Sequence, residues 1–149
     1  MSEQGTLFGC IYGGGPVGSP KYMDFYEHNQ RTIAALPQQV DWKQEILVVG
    51  NMFTVPMPDW GGFYRYQMIH FGASFNHLHV YWETFITQFE ALLKDLFWFE
   101  TYLYMQAELA QSYTEYYWEA EIAPMIETPP RTIQEWEYRG GRREFRDRS

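Results

Sequence analysis

The chain has a single cysteine, Cys10, among 149 residues. A lone thiol cannot close an internal disulfide, so nothing in the composition asks for an oxidising compartment. No apolar run is long enough to span a bilayer. Met1-Ser2-Glu3-Gln4 offers neither the basic nor the apolar stretch of a secretory leader, and the sequence reads as cytoplasmic and non-membrane. Basic side chains are scarce over most of the length. Residues 1–138 carry 17 acidic and six basic side chains, a net of −11, whereas residues 139–149 set five arginines against Glu144 and Asp147, a net of +3. A body of that sign repels phosphate backbones, which argues against nucleic acid and for a partner with a basic surface.

Motifs that carry chemistry are also missing. Gly13-Gly14-Gly15-Pro16-Val17-Gly18 matches the spacing of a dinucleotide-binding turn. However, Gly18-Ser19-Pro20 lacks the lysine of a phosphate-binding loop, and no parallel β-α-β unit follows. His70, His77 and His79 are close in sequence, but zinc-binding helices place ligands four residues apart, and here the helical pair is two apart. No carboxylate pair is marked for acid–base work, no Gly-x-Ser-x-Gly occurs, and Cys10 lies between apolar neighbours as a buried structural thiol would. The reading is of a non-enzyme with no catalytic residue, metal or cofactor. An alternative keeps a small enzyme or ligand-binding protein with a pocket near Gly13–Ser19 and His70–His79.

What the chain has is aromatic and apolar side chains. Hydrophobic residues make up 46% and aromatics 19%, with 12 Tyr, 11 Phe and 6 Trp, enough to build a core. Thr6–Tyr12 reads as a strand ended by the glycines, and Ser19-Pro20 as the start of a helix that Pro37 stops. Glu45–Val55 is a β-branched apolar run expected to be a strand. After Pro56–Gly62, a connection, Phe63–Phe71 reads as a second strand, and Gly72-Ala73-Ser74 leads into a helix with an apolar stripe from Leu78 through Trp82, Phe85 and Phe89 to Leu96. Two further strands, Phe97–Leu109 and Ser112–Ile122, are expected to pair about a turn at Ala110-Gln111, with Leu103 opposite Trp118 and Phe99 in the inward set. The expected fold is a single α+β domain over residues 1–138, in the order β-α-β-β-α-β-β. It is a split βαβ pattern with an added hairpin strand, an antiparallel sheet carrying both helices on one face. Residues 139–149 are expected to form a basic, mobile tail.

Such a sheet leaves its second face available. Alternation puts Glu100, Tyr102, Tyr104, Gln106 and Glu108 there from one strand, and Tyr113, Glu115, Tyr117, Glu119 and Glu121 from the other. Carboxylates opposed across a sheet weaken folding, and tolerating that cost suggests a face in use. Tyrosine supplies contact area and a hydroxyl with little entropy loss, while carboxylates choose a cationic counterpart. Glu100, Tyr102, Tyr104, Glu108, Glu115, Tyr117, Glu119 and Glu121 are therefore the candidate partner-binding residues, with Trp60 of the Pro56–Gly62 connection as a further anchor.

The stretch Ile69-His70-Phe71-Gly72-Ala73-Ser74-Phe75, with Trp82, Phe89-Glu90, Leu92-Leu93 and Trp98, resembles small bacterial immunity proteins encoded beside secreted toxins. The resemblance is one of general character and transfers no functional residue. It implies a cytoplasmic, acidic, aromatic-rich protein that masks the active or docking surface of a toxin domain. The competing expectation from another class is a structural subunit whose aromatics serve self-association.

Overall fold

A computed structural model describes residues 4–16, 23–55, 66–107, 113–121, 123–127 and 129–142. Strand β1 (Gln4–Pro16) is followed by helix α1 (Met23–Ala34), a short β2 (Phe53–Thr54), β3 (Tyr66–Asn76), helix α2 (Trp82–Leu93), β4 (Trp98–Ala107), β5 (Thr114–Ala120), a one-turn α3 (Ala123–Ile126) and β6 (Trp136–Gly140). The six strands form one sheet in the order β2-β3-β1-β4-β5-β6, with every neighbouring pair antiparallel. The chain is thus an α+β fold, and α1 and α2 pack on the same side of the sheet.

The covered side follows from alternation. Leu7 and Ile11 of β1, Ile69, Phe71 and Phe75 of β3, Leu103 and Met105 of β4, and Tyr116 and Trp118 of β5 are all buried. Helix α2 meets them with Trp82, Phe85, Ile86, Phe89, Leu92 and Leu93, the stripe expected from the 3.6-residue period. Phe89 is its centre. Its ring lies 5.1 Å from that of Phe71 and 5.3 Å from that of Trp118, so one side chain binds both halves of the sheet. Polar ties fix the orientation: the Trp98 indole donates to the Leu93 carbonyl at 2.7 Å, and that of Trp118 donates to Glu90 Oε2 at 2.9 Å. Helix α1 is held by a buried amide. Asn29 donates to Gln67 Oε1 and to the Phe97 carbonyl, and accepts from the Phe97 N–H at 2.8 Å.

Four segments depart from expectation. The run Glu45–Val55 is a strand only at Phe53–Thr54. Leu47, Val48 and Val49 are consecutive and all buried. Among the described residues only one side of this sheet is covered, and alternation along a strand there does not accommodate three adjacent buried residues. Their backbone is satisfied instead by a side chain of α2, with Gln88 Oε1 accepting from the N–H groups of Leu47 at 2.9 Å and Val48 at 3.1 Å. Strand β1 does not stop at the glycines but runs on to Pro16. Gly13 is buried there, and the position takes glycine because a Cβ would stand 2.2 Å from the Phe97 carbonyl oxygen. Strand β3 likewise continues through Gly72-Ala73-Ser74 to Asn76, and the turn to α2 begins at His77, whose φ is +57°. The expected helix start at Ser19-Pro20, the Pro56–Gly62 connection and the Ala110-Gln111 turn lie outside the described residues.

The fourth departure is at the C-terminal end. β6 pairs with β5 from Ala120↔Trp136 to Tyr116↔Gly140, so Arg139 and Gly140 belong to the sheet rather than to a tail. Gly140 has φ +116°, and a Cβ there would meet the Glu115 carbonyl oxygen at 2.2 Å. Beyond it, Gly141 donates its N–H to the Glu115 carbonyl at 2.9 Å and Tyr116 donates its hydroxyl to the Arg142 carbonyl at 3.2 Å. Trp136 packs inward, 5.8 Å from Trp98.

Two stability tests follow. Phe89→Ala should destabilise the fold by about 3–5 kcal/mol in urea unfolding, since it removes a ring from the middle of the core. A small change would show that the helix does not bind the sheet through this residue. A chain ending at Arg142 should melt as the full chain does, whereas one ending at Tyr138 should melt roughly 2–8 °C lower, having lost the last backbone pairings of β6. Equal melting of the two truncations would contradict the contribution of Arg139–Arg142.

Candidate functional site

The face opposite the helices carries the even-numbered side chains of β1 and β3, the outward set of β4, and the odd-numbered set of β5 and β6. None of the described helices lies on it. Register arranges its side chains in lateral rows. One row runs Phe8, Tyr104, Glu115; the next runs Cys10, Tyr102, Tyr117, Arg139; the third runs Tyr12, Glu100, Glu119, Glu137. The candidate residues Glu100, Tyr102, Tyr104, Glu115, Tyr117 and Glu119 therefore come together. Glu121 is exposed just past the end of β5, in a shallow concavity with Glu119, Glu135 and Glu137. Glu108 and Trp60 lie outside the described residues.

The β4–β5 register differs from expectation by two residues. Leu103 faces Tyr116 rather than Trp118, and Thr101 faces Trp118. A shift of two preserves which side each residue occupies, so the face assignment stands while the partners change. Glu100 is opposite Glu119 rather than Glu121, Tyr102 is opposite Tyr117, and Tyr104 is opposite Glu115.

Phe99 changes sides. Tyr12 is paired with Glu100 and Gly13 with Trp98, so β4 carries one extra residue, Phe99, between two successive pairings with β1. A bulge of this kind re-aims a side chain without disturbing the strand beyond it. Trp98 and Thr101 both remain buried on the covered side, while the Phe99 ring stands 6.0 Å from Tyr12. The result is a concavity of about 410 Å³ lined by Tyr12, Phe99, Glu100, Tyr102 and Tyr104. A second, also about 410 Å³, is lined by Tyr102, Glu115, Tyr117, Arg139 and Gly140.

The rings on this face touch one another. Phe8 stacks on Tyr104 at 5.3 Å and meets Tyr113 edge-on at 5.2 Å, Tyr12 meets Tyr102 edge-on at 5.9 Å, and Tyr102 lies 4.9 Å from Tyr117. Phe8 is nevertheless 40% and Tyr113 52% exposed. Tyr102 donates its hydroxyl to Glu100 Oε2 at 3.0 Å. Burial, then that hydrogen bond and the Glu100 charge, push its phenol well above the ordinary range. Burial raises Tyr12 and Tyr117 too, and both feel Glu100; for Tyr117 the bond and charge of Arg139 act in the opposite direction. The Arg139 guanidinium lies 4.7 Å over the Tyr117 ring and 3.7 Å from Glu119. Burial alone pushes the Cys10 thiol up to about 11.

Sequence reasoning missed Phe8, Tyr12, Phe99 and Arg139. Alternation of Thr6, Phe8, Cys10 and Tyr12 was readable, but it could not show that β1 lies beside β4. The pattern of Trp136 and Tyr138 against Glu137 and Arg139 was a readable signal for β6.

Of the alternative pocket, residues 17–19 lie outside the described residues, and the described parts of its two halves sit at different ends of β3. Gly13 pairs with Gln67 near one end of β3, whereas His77 follows Asn76 at the other. His70 is exposed on the open face, opposite Cys10. No group of three or more His, Cys, Asp or Glu among the described residues is arranged to hold a metal ion. A further concavity, about 710 Å³, is on the helix side between α1, α2 and residues 36–48. Within it His28 Nε2 bonds to the Asp95 backbone carbonyl at 2.7 Å, and Gln88 serves the 45–48 backbone. No helix is long and apolar enough to cross a membrane among the described residues. No family model, curated protein or solved structure matches the chain.

The thiol gives a direct check on burial within this face. A thiol raised to about 11 favours its protonated form, and only the thiolate alkylates. At pH 8, iodoacetamide should modify Cys10 roughly 100 times more slowly in the native chain than in urea, and the native rate should rise about tenfold per pH unit up to the thiol's pKa. Equal native and unfolded rates would show an open thiol.

Proposed function

We propose that the chain is a protein-binding inhibitor whose open sheet face docks on a basic partner, and that it works as a bacterial immunity protein that neutralises a cognate toxin by covering its active or docking surface. The observation that carries this reading is a sheet face built of stacked aromatics and carboxylates with no described helix on it. Tyrosine and phenylalanine at that density supply buried contact area, and the rim of Glu100, Glu115, Glu119 and Glu137 selects positive charge. Occupying a catalytic or substrate-docking surface blocks it without any chemistry by the inhibitor. Self-association through the same face is disfavoured, because two copies would oppose like charges.

Co-expression with the product of the neighbouring gene, followed by affinity purification, tests the reading directly: a stable complex supports it. Within such a complex, Glu115→Lys with Glu119→Lys should slow association about tenfold or more at low salt, with the effect fading as salt is added. Tyr104→Ala with Tyr117→Ala should instead weaken binding roughly 30-fold, through faster dissociation. Circular dichroism confirms that each variant folds. If both folded variants bind as the parent does, this face is not the interface.

A further inference from the structure

The third lateral row of the open face holds three carboxylates side by side, Glu100, Glu119 and Glu137, each opposite the next. Like charges directly opposed across a sheet destabilise it unless a cation intervenes. Among the described residues Glu119 has such a cation, Arg139, whose guanidinium is 3.7 Å from it and 4.7 Å over the Tyr117 ring. Glu100 has no such partner among them. Its one polar contact is the Tyr102 hydroxyl, and its charge is felt by Tyr12, Tyr102 and Tyr117.

Around Glu100 the bulge has built a concavity with ring walls. Tyr12 and Tyr102 stand nearly perpendicular, at 80°, and Phe99 closes the side at 48° to Tyr12. A carboxylate at the edge of a set of rings is the arrangement that attracts a cation over an aromatic face. The same molecule already contains a worked instance one strand away, where a carboxylate, a tyrosine ring and a guanidinium are grouped as Glu119, Tyr117 and Arg139. We propose that the slot formed by Tyr12, Phe99, Glu100 and Tyr102 is an aromatic cage for an arginine side chain of the partner. The guanidinium stacks on a tyrosine ring and its N–H groups reach Glu100. Arginine is assigned rather than lysine because a planar, weakly hydrated cation can stack and hydrogen-bond at once, whereas an ammonium acts as a point charge.

This inference rests on the reading of the open face as a docking surface, but its test needs no partner. The full chain is titrated with N-acetyl-arginine-N-methylamide while the tyrosine and phenylalanine ring resonances are followed by NMR. Saturable shifts at Tyr12, Phe99 and Tyr102 are expected. The citrulline analogue, similar in shape and uncharged, should bind roughly tenfold more weakly, and Glu100→Gln, which keeps an acceptor for the Tyr102 hydroxyl, should weaken the arginine probe by a similar factor. The lysine analogue should bind more weakly than arginine. Absence of saturable shifts, equal binding of citrulline, indifference to Glu100→Gln, or a preference for lysine would each overturn the assignment. Arginine binding by a chain that captures no partner would sink the docking reading and leave the cage standing. A stable complex whose strength is unchanged by Glu100→Gln, with no arginine binding by the free chain, would do the reverse.

Discussion

Among the described residues, α1, α2 and the chain around Leu47–Val49 cover one side of a six-stranded sheet and only one. That limit shapes the rest of the molecule. On the covered side it demands a continuous apolar layer, which α2 supplies with a stripe of rings centred on Phe89. On the other side it leaves a surface whose residues are chosen on different grounds. It also decides what cannot be a strand. Leu47-Val48-Val49 has the composition of one, yet burying three successive side chains is incompatible with a sheet covered on one side, and the segment is held instead by Gln88 of α2.

The same limit explains what could be read from the sequence. Parity is robust: once a strand has one buried side, alternation assigns each residue to a face, and the outward positions of Glu100, Tyr102, Tyr104, Glu115, Tyr117 and Glu119 follow from it. Register is less legible. A pairing shifted by two residues keeps every side chain on its own face, so hydrophobic pattern cannot distinguish Leu103 opposite Tyr116 from Leu103 opposite Trp118. Strand ends were hidden by glycine. Gly13 and Gly72 look like breaks in isolation, but both lie inside strands, and at Gly13 the cause is the close approach of the Phe97 carbonyl from the adjacent chain segment. No local signal reports a contact of that range.

Phe99 is the sharpest case of a long-range effect on a local assignment. Counting alternate residues back from Leu103 places it inside; the extra residue in β4 turns it outward beside Tyr12. The bulge joins the two sides of the sheet. It lets Trp98 stay buried with its indole on the Leu93 carbonyl, and it raises a ring wall next to Glu100 on the open face. The fold's need to bury a tryptophan and the shape of the candidate site are satisfied by one inserted residue.

The pairing of Trp98 with Trp136 has an optical meaning. The two indoles come from β4 and β6, strands that are separated by β5, and their rings lie 5.8 Å apart at 48°. Indole transitions at that distance and angle couple, so the pair should add an exciton doublet to the circular dichroism of the other packed rings. Either ring moving away would erase it. Because Trp136 opens the last strand, the doublet reads out the seating of the sheet's C-terminal edge, which carries Arg139 to the open face. The protein therefore carries its own unlabelled gauge of whether that edge is closed.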